Sequence, residues 1–139
     1  MDSIYVALGG FIGAVLRYIF SLAFVNSGFP SSTFLINLSG SFIIGFVLII
    51  ALERATISPN FRLFFATGLL GAFTTFSTYT LDTLLLLNSG YFLTAINYYL
   101  WSVILGIIFA ALGAQLGKQT LFYIDVHKER FRAEEWVDV

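Results

Sequence analysis

Between Thr74 and Thr80, six of seven side chains carry a hydroxyl: Thr74, Thr75, Ser77, Thr78, Tyr79 and Thr80, with Phe76 among them. The run is set in apolar sequence, "RLFFATGLL" before it and "LDTLLLLNSG" after it. A hydroxyl is a neutral group that donates one hydrogen bond and accepts others. In apolar surroundings it can bond the carbonyl four residues back in its own helix, but six together are more than such back-bonding readily explains. Gly68 and Gly71 precede them, and glycine weakens a helix. A break is therefore expected near 71–75, with hydroxyls serving the loosened carbonyls. Beyond it, Thr75, Tyr79 and Asp82 share a helix face, as do Thr78 and Asp82.

Two further rows repeat every four residues. Thr33, Asn37, Ser41 and Gly45 form one; Tyr98, Ser102, Gly106 and Ala110 form the other. Each begins polar and ends small. Interhelical hydrogen bonding, worth about 0.6 kcal/mol per bond in membranes, competes with a water-filled lining as the explanation. Three helices with such stripes point to one shared polar path. The third row is Gly9, Gly13 and Arg17. The glycines read as a close-packing face, while Arg17 is either an anchor reaching the helix end or a functional cation. Asp82 is a second ionisable group in apolar sequence, expected to face a polar cavity. For Phe73, Phe76 and Tyr79, core packing competes with a place on the path wall.

The elements that hold these rows are legible from composition. The chain has 139 residues, 58% hydrophobic and 11% charged, with a mean hydropathy of +0.89. Soluble domains carry about 25% charged residues. Apolar runs over roughly 4–25, 33–52, 63–88 and 92–117 each reach the about 20 residues that a spanning helix needs. Continuous runs exclude the alternating pattern of a barrel. The reading is an all-α, multi-pass protein of the cell membrane: a four-helix domain over 1–117 with the third helix broken, then a polar tail over 118–139. Whether that tail, with Phe122, Phe131 and Trp136, lies at the interface or is disordered stays open. The start "MDSIYVALGG" lacks the basic opening of a signal peptide, so the first helix is expected to be retained. Absence of cysteine excludes disulfides and thiolate metal sites. His127, the one histidine, reads as solvated, and no phosphate-binding loop occurs. Short links, "NSGFPSS", "RATISPNFR" and "LNSGY", leave no room for a catalytic domain and favour antiparallel neighbours.

Three motifs, "GGFIGAVLRY" (9–18), "TFLINLSGSFIIG" (33–45) and "GLLGAFTTFST" (68–78), together resemble the Fluc (CrcB) family of small fluoride channels, in the family's order and spacing. The resemblance covers about residues 4–117. It implies a passive, fluoride-selective channel that exports fluoride and lowers its cytoplasmic level, built as an antiparallel dual-topology homodimer with two pores. It also implies a structural sodium ion on the dimer axis, held by the carbonyls of Gly71 and Thr74. By the same resemblance Asn37 is the pore amide, Arg17 the vestibule cation, and Phe76 and Tyr79 the pore aromatics. Both aromatics are usually phenylalanine, so Tyr79 departs from the pattern. Ser77, Thr78 and Asp82 match a polar track along the pore, Tyr98 and Ser102 match polar fourth-helix positions, and Thr33 and Ser41 flank Asn37 on its row.

Elementary chemistry agrees with an anion path. Fluoride needs donors to replace its water, and amide and hydroxyl hydrogens qualify. Aromatic ring edges carry partial positive charge. None of these is a full cation, so binding stays weak enough for release. The alternative is a small proton-coupled exporter, which needs a membrane carboxylate in the transport cycle; the first helix offers Arg17 and no acid after Asp2. A purely structural subunit would not need aligned polar rows. One feature pulls against dual topology. Arg54, Arg62, Lys118, Lys128, Arg130 and Arg132 all fall on one side of a four-span arrangement, which favours a single orientation. A heterodimer with a homologous sibling is the alternative to the homodimer.

Overall fold

The computed structural model describes residues 2–24, 29–53 and 58–135, with side chains as far as 129. Arg54 and Trp136 lie outside the described residues, as do the side chains of Arg130, Phe131 and Arg132. The described chain is helical throughout: α1 (Asp2–Leu22), α2 (Ser31–Glu53), α3 (Pro59–Arg62), a π-helical stretch (Leu63–Leu70), α4 (Gly71–Phe73), α5 (Phe76–Asn88) and α6 (Phe92–Glu135). Among the described residues, three helical segments are long and apolar enough to cross a membrane: Asp2–Leu22, Ser31–Glu53 and Phe92–Glu129. Across 59–88 the chain is several joined pieces.

Local sequence sets these boundaries. Ser58 caps α3 by accepting from the Phe61 N–H at 3.3 Å, and Pro59 sits where a missing N–H costs nothing. α3 runs directly into the π-helical stretch, whose wider turn follows i→i+5 bonding. At the far end of α5, Gly90 takes φ 81°, a left-handed conformation that favours glycine. The Tyr91 N–H then donates back to Leu86 O at 2.9 Å and Gly90 N–H to Leu87 O at 3.0 Å. This pair of bonds closes the helix and turns the chain into α6 within three residues.

Packing rests on close backbone contact. α2 lies mainly along α6, and α1 along the π-helical stretch. A Cβ at Gly45 would collide with the Ala110 carbonyl, and one at Gly113 with that of Phe42. A Cβ at Gly9 would strike the Phe64 carbonyl and one at Gly13 that of Leu69, while one at Gly68 would come within 2.7 Å of Val6 O. Such contacts drive helix association where lipid removes the hydrophobic force. The principal buried cluster joins α5 to α6 through Tyr79, Leu86, Ala95 and Tyr98, with Phe34 of α2 against it.

α6 continues unbroken past Gly117 to Glu135. Its 44 residues make it about 66 Å long at 1.5 Å per residue, roughly twice the about 30 Å hydrocarbon core of a bilayer. His127 lies on this extension, exposed, with its ring 4.6 Å from that of Tyr123.

Candidate functional site

The interruption between α4 and α5 is the centre of the site. Thr74 (φ −74°, ψ 158°) and Thr75 (φ −147°, ψ 125°) are extended, ending α4 and starting α5. In an unbroken helix the Thr75 N–H would bond Gly71 O. Here it donates to Asn37 Oδ1 at 2.8 Å, and Asn37 Nδ2 donates to Thr75 O at 2.9 Å. One side-chain amide of α2 thus satisfies both backbone groups of the break's central residue. One amide hydrogen of Asn37 is left over from this exchange.

The hydroxyl run divides by role. Thr74 and Thr80 do bond carbonyls four residues back, Leu70 O and Phe76 O, each at 2.9 Å. Thr75 caps α5: its Oγ1 accepts from the Thr78 N–H at 3.2 Å, donates to Thr78 Oγ1 at 3.0 Å and lies 3.3 Å from Ser77 Oγ. The Tyr79 hydroxyl donates to Tyr99 O at 2.9 Å. Its ring stacks on Tyr99, centroids 5.5 Å apart and 21° between planes, and approaches Phe76 at 5.8 Å and Tyr98 at 5.4 Å.

The candidate residues fall around three spaces. A cavity of about 320 Å³ is walled by Asn37, Ser41, Phe76, Tyr79 and Ser102, with Thr74 and Thr75 at the break. Ser102 Oγ donates to Tyr98 O at 2.6 Å, while Ser41 has no hydrogen-bond partner among the described residues. A second cavity, about 280 Å³, holds Arg17 with Thr33, Thr75 and Thr78. Asp82 opens on a third space of about 320 Å³ beside Phe29 and Pro30. Tyr98 is almost fully buried, at 1% exposure. Its hydroxyl donates to Asp82 Oδ2 at 3.4 Å and receives a hydrogen bond from Thr33, linking α2, α5 and α6. Phe76 is the opposite case, 79% exposed on the outer surface of the chain. Ser77 and Thr78 are exposed beside it.

The family model for CrcB-like protein, Camphor Resistance (CrcB), matches residues 4–114, which takes in every element carrying the site. The chain belongs to the CrcB family. Three relatives show how closely. The fluoride-specific ion channel FluC of Hydrogenobaculum sp. (strain Y04AAS1) is 42% identical over 120 residues, 84% of this chain and 98% of that one. That of Shewanella pealeana is 43% identical over 122 residues, 86% and 94% of the two chains, and that of Helicobacter pylori (strain J99) is 45% identical over 120, 83% and 92%. The CrcB match and the three apolar helices make this a multi-pass membrane protein.

Within this CrcB chain, sequence reasoning missed three participants. Tyr99 anchors the Tyr79 hydroxyl through a carbonyl, which no side-chain pattern advertises. Gly40 makes room for the break: a Cβ there would strike Thr74 Cγ2. Its place three residues after Asn37 was the available signal. Arg62 bonds the Ala51 carbonyl in the last turn of α2, where a cation complements the helix dipole. Among the described residues no three His, Cys, Asp or Glu side chains gather as a metal site. The break deprives Gly71 O of its Thr75 partner, on an exposed residue.

Proposed function

We propose that this protein is a passive fluoride-selective channel, a non-enzymatic exporter of fluoride that lowers its level in the cytoplasm. The observation that carries the reading is a cavity walled by neutral polar groups and an aromatic ring, Asn37, Ser41, Ser102 and Phe76, beside a second cavity holding Arg17. The names of the relatives, fluoride-specific ion channels, support it. Arg17 gathers anions at the mouth, and donors without full charge replace their water without trapping them.

The channel works as an antiparallel dimer of four-span subunits with the third span broken. Irregular backbone at membrane depth persists only where protein or water covers it, yet Gly71, Phe76, Ser77 and Thr78 lie exposed around this break. A second copy supplies the cover and completes the wall beside Phe76. Gly71 and Thr74 carbonyls fit a sodium ion on the dimer axis, since hard cations take oxygen ligands; the ion would tie the two broken spans together. Thr78, Asp82, Tyr98 and Thr33 continue the polar track. The basic residues gathered on one side favour one orientation, and a homologous sibling is the alternative second subunit.

The test is flux from liposomes holding the purified single chain, with no proton gradient. Fluoride efflux with chloride retained is expected. Equal passage of both anions would refute selectivity, and fluoride movement only with a proton gradient would identify an exporter driven by protons.

A further inference from the structure

The Asn37 cavity and the Arg17 cavity share one wall residue among those described, Thr75. At about 30 Å³ per water, volumes near 300 Å³ admit roughly ten waters each. The partition between these two wet spaces is thus a single residue thick at Thr75. That residue is 8% exposed, and Asn37 grips its backbone through both N–H and C=O. It cannot withdraw without breaking both bonds.

We infer that Thr75 is the crossing point between the two cavities, its hydroxyl donating to the anion as it passes from one to the other. This rests on the channel reading above and adds to it the residue at which the ion changes compartments. The oxygen's acceptor role is committed, because it caps α5 by taking the Thr78 N–H at 3.2 Å. Its proton goes to another hydroxyl, a partner it can exchange for an anion. It points to Thr78 Oγ1 at 3.0 Å, and Ser77 Oγ lies at 3.3 Å. Rotation about the Cβ–Oγ1 bond can redirect it to an anion on either side while the cap stays made. An ion leaving the Arg17 cavity meets the Thr78 and Thr75 hydroxyls first, then the Asn37 amide and Ser41. Donors therefore stand on both faces of the partition, and the ion need not give up all of its hydrogen bonds at once.

Cap and donor can be separated by substitution. Thr75→Ser keeps both. Thr75→Asp keeps the cap, since Asp is as good an N-cap as Ser, but when ionised has no donor. Thr75→Val removes both. Each is reconstituted as monodisperse full-length protein, with fluoride efflux read per channel and thermal unfolding read in detergent. Thr75→Ser is expected within about threefold of wild type. Thr75→Asp and Thr75→Val are expected to fall by roughly 10- to 100-fold, the loss of one hydrogen bond to a charged group at the barrier. Thr75→Asp should nevertheless unfold at close to the wild-type temperature; lost flux with stability intact is what a purely structural role does not predict. Wild-type flux in folded Thr75→Asp, or in Thr75→Val should Thr75→Asp not fold, overturns the inference and leaves Thr75 a helix cap. Absence of fluoride efflux from wild-type vesicles instead overturns the channel reading itself.

Discussion

Replacing Asn37 separates its two jobs, holding the break and donating to the anion. In Asn37→Leu, of similar size, the Thr75 N–H and C=O lose partners at 2.8 and 2.9 Å. A buried group left unsatisfied costs about 1–3 kcal/mol, so the pair costs about 2–6 kcal/mol. That is a large share of the 5–15 kcal/mol that typically holds a protein folded. Asn37→Asp keeps an acceptor for the Thr75 N–H but sets a carboxylate oxygen against the Thr75 carbonyl, about half that loss. It also removes the spare amide hydrogen from the cavity. Losing a hydrogen bond to a charged group, about 1.5–3 kcal/mol, slows passage by roughly 10- to 100-fold. Asn37→Asp is therefore expected to remain folded with flux nearly abolished, and Asn37→Leu to be lower in both folded yield and unfolding temperature. Per-channel fluoride efflux and thermal unfolding of monodisperse protein measure the two effects. Wild-type unfolding of Asn37→Leu would refute the clamp, and wild-type flux in Asn37→Asp would place the residue outside the path.

Phe76→Ile should lose most flux in the same efflux assay while folding normally, because the exposed ring has only its polarised edge to offer. Tyr79→Phe should keep substantial flux and cost about 1 kcal/mol of stability in thermal unfolding, the worth of its bond to Tyr99 O. Gly113→Ala, which drives a methyl into the Phe42 carbonyl, should destabilise by about 1–3 kcal/mol, seen as a lower unfolding temperature. Exchanging sodium for a larger cation should lower the unfolding temperature of the wild-type protein, and equal stability in both salts would argue against the proposed Gly71–Thr74 ion.

Long apolar runs gave away the helical membrane class, since lipid permits few alternatives to a helix. The glycines before the hydroxyl run marked the region of the interruption, because a helix weakened there must find partners for its backbone. What the pattern could not supply was direction. Periodicity places Asn37, Ser41 and Gly45 on one face, yet Gly45 meets the Ala110 backbone while Asn37 turns to Thr75. Tyr79 reads as an aromatic with a spare hydroxyl until the Tyr99 carbonyl appears beside it. Both depend on contacts between elements distant in sequence. The tail beyond Gly117 is mixed in charge and carries no strong helix signal of its own, but it continues α6 to Glu135. Elongation of an existing helix adds one bond per residue without a new nucleus.

The exchange between Asn37 and Thr75 also bears on how the chain is assembled. Alone in lipid, the segment 59–88 would not tolerate its own interruption, because Thr75 would present an unpaired N–H and C=O at a cost of several kcal/mol. The same segment written as one continuous helix satisfies both groups internally. The exchange favours an assembly order in which the continuous form comes first and the break opens as the segment docks against α2, where Asn37 takes over the two bonds. On that order, docking against α2 rather than the segment's own sequence sets when the interruption opens, and a chain whose α2 is delayed or misplaced would hold a closed rod in its place.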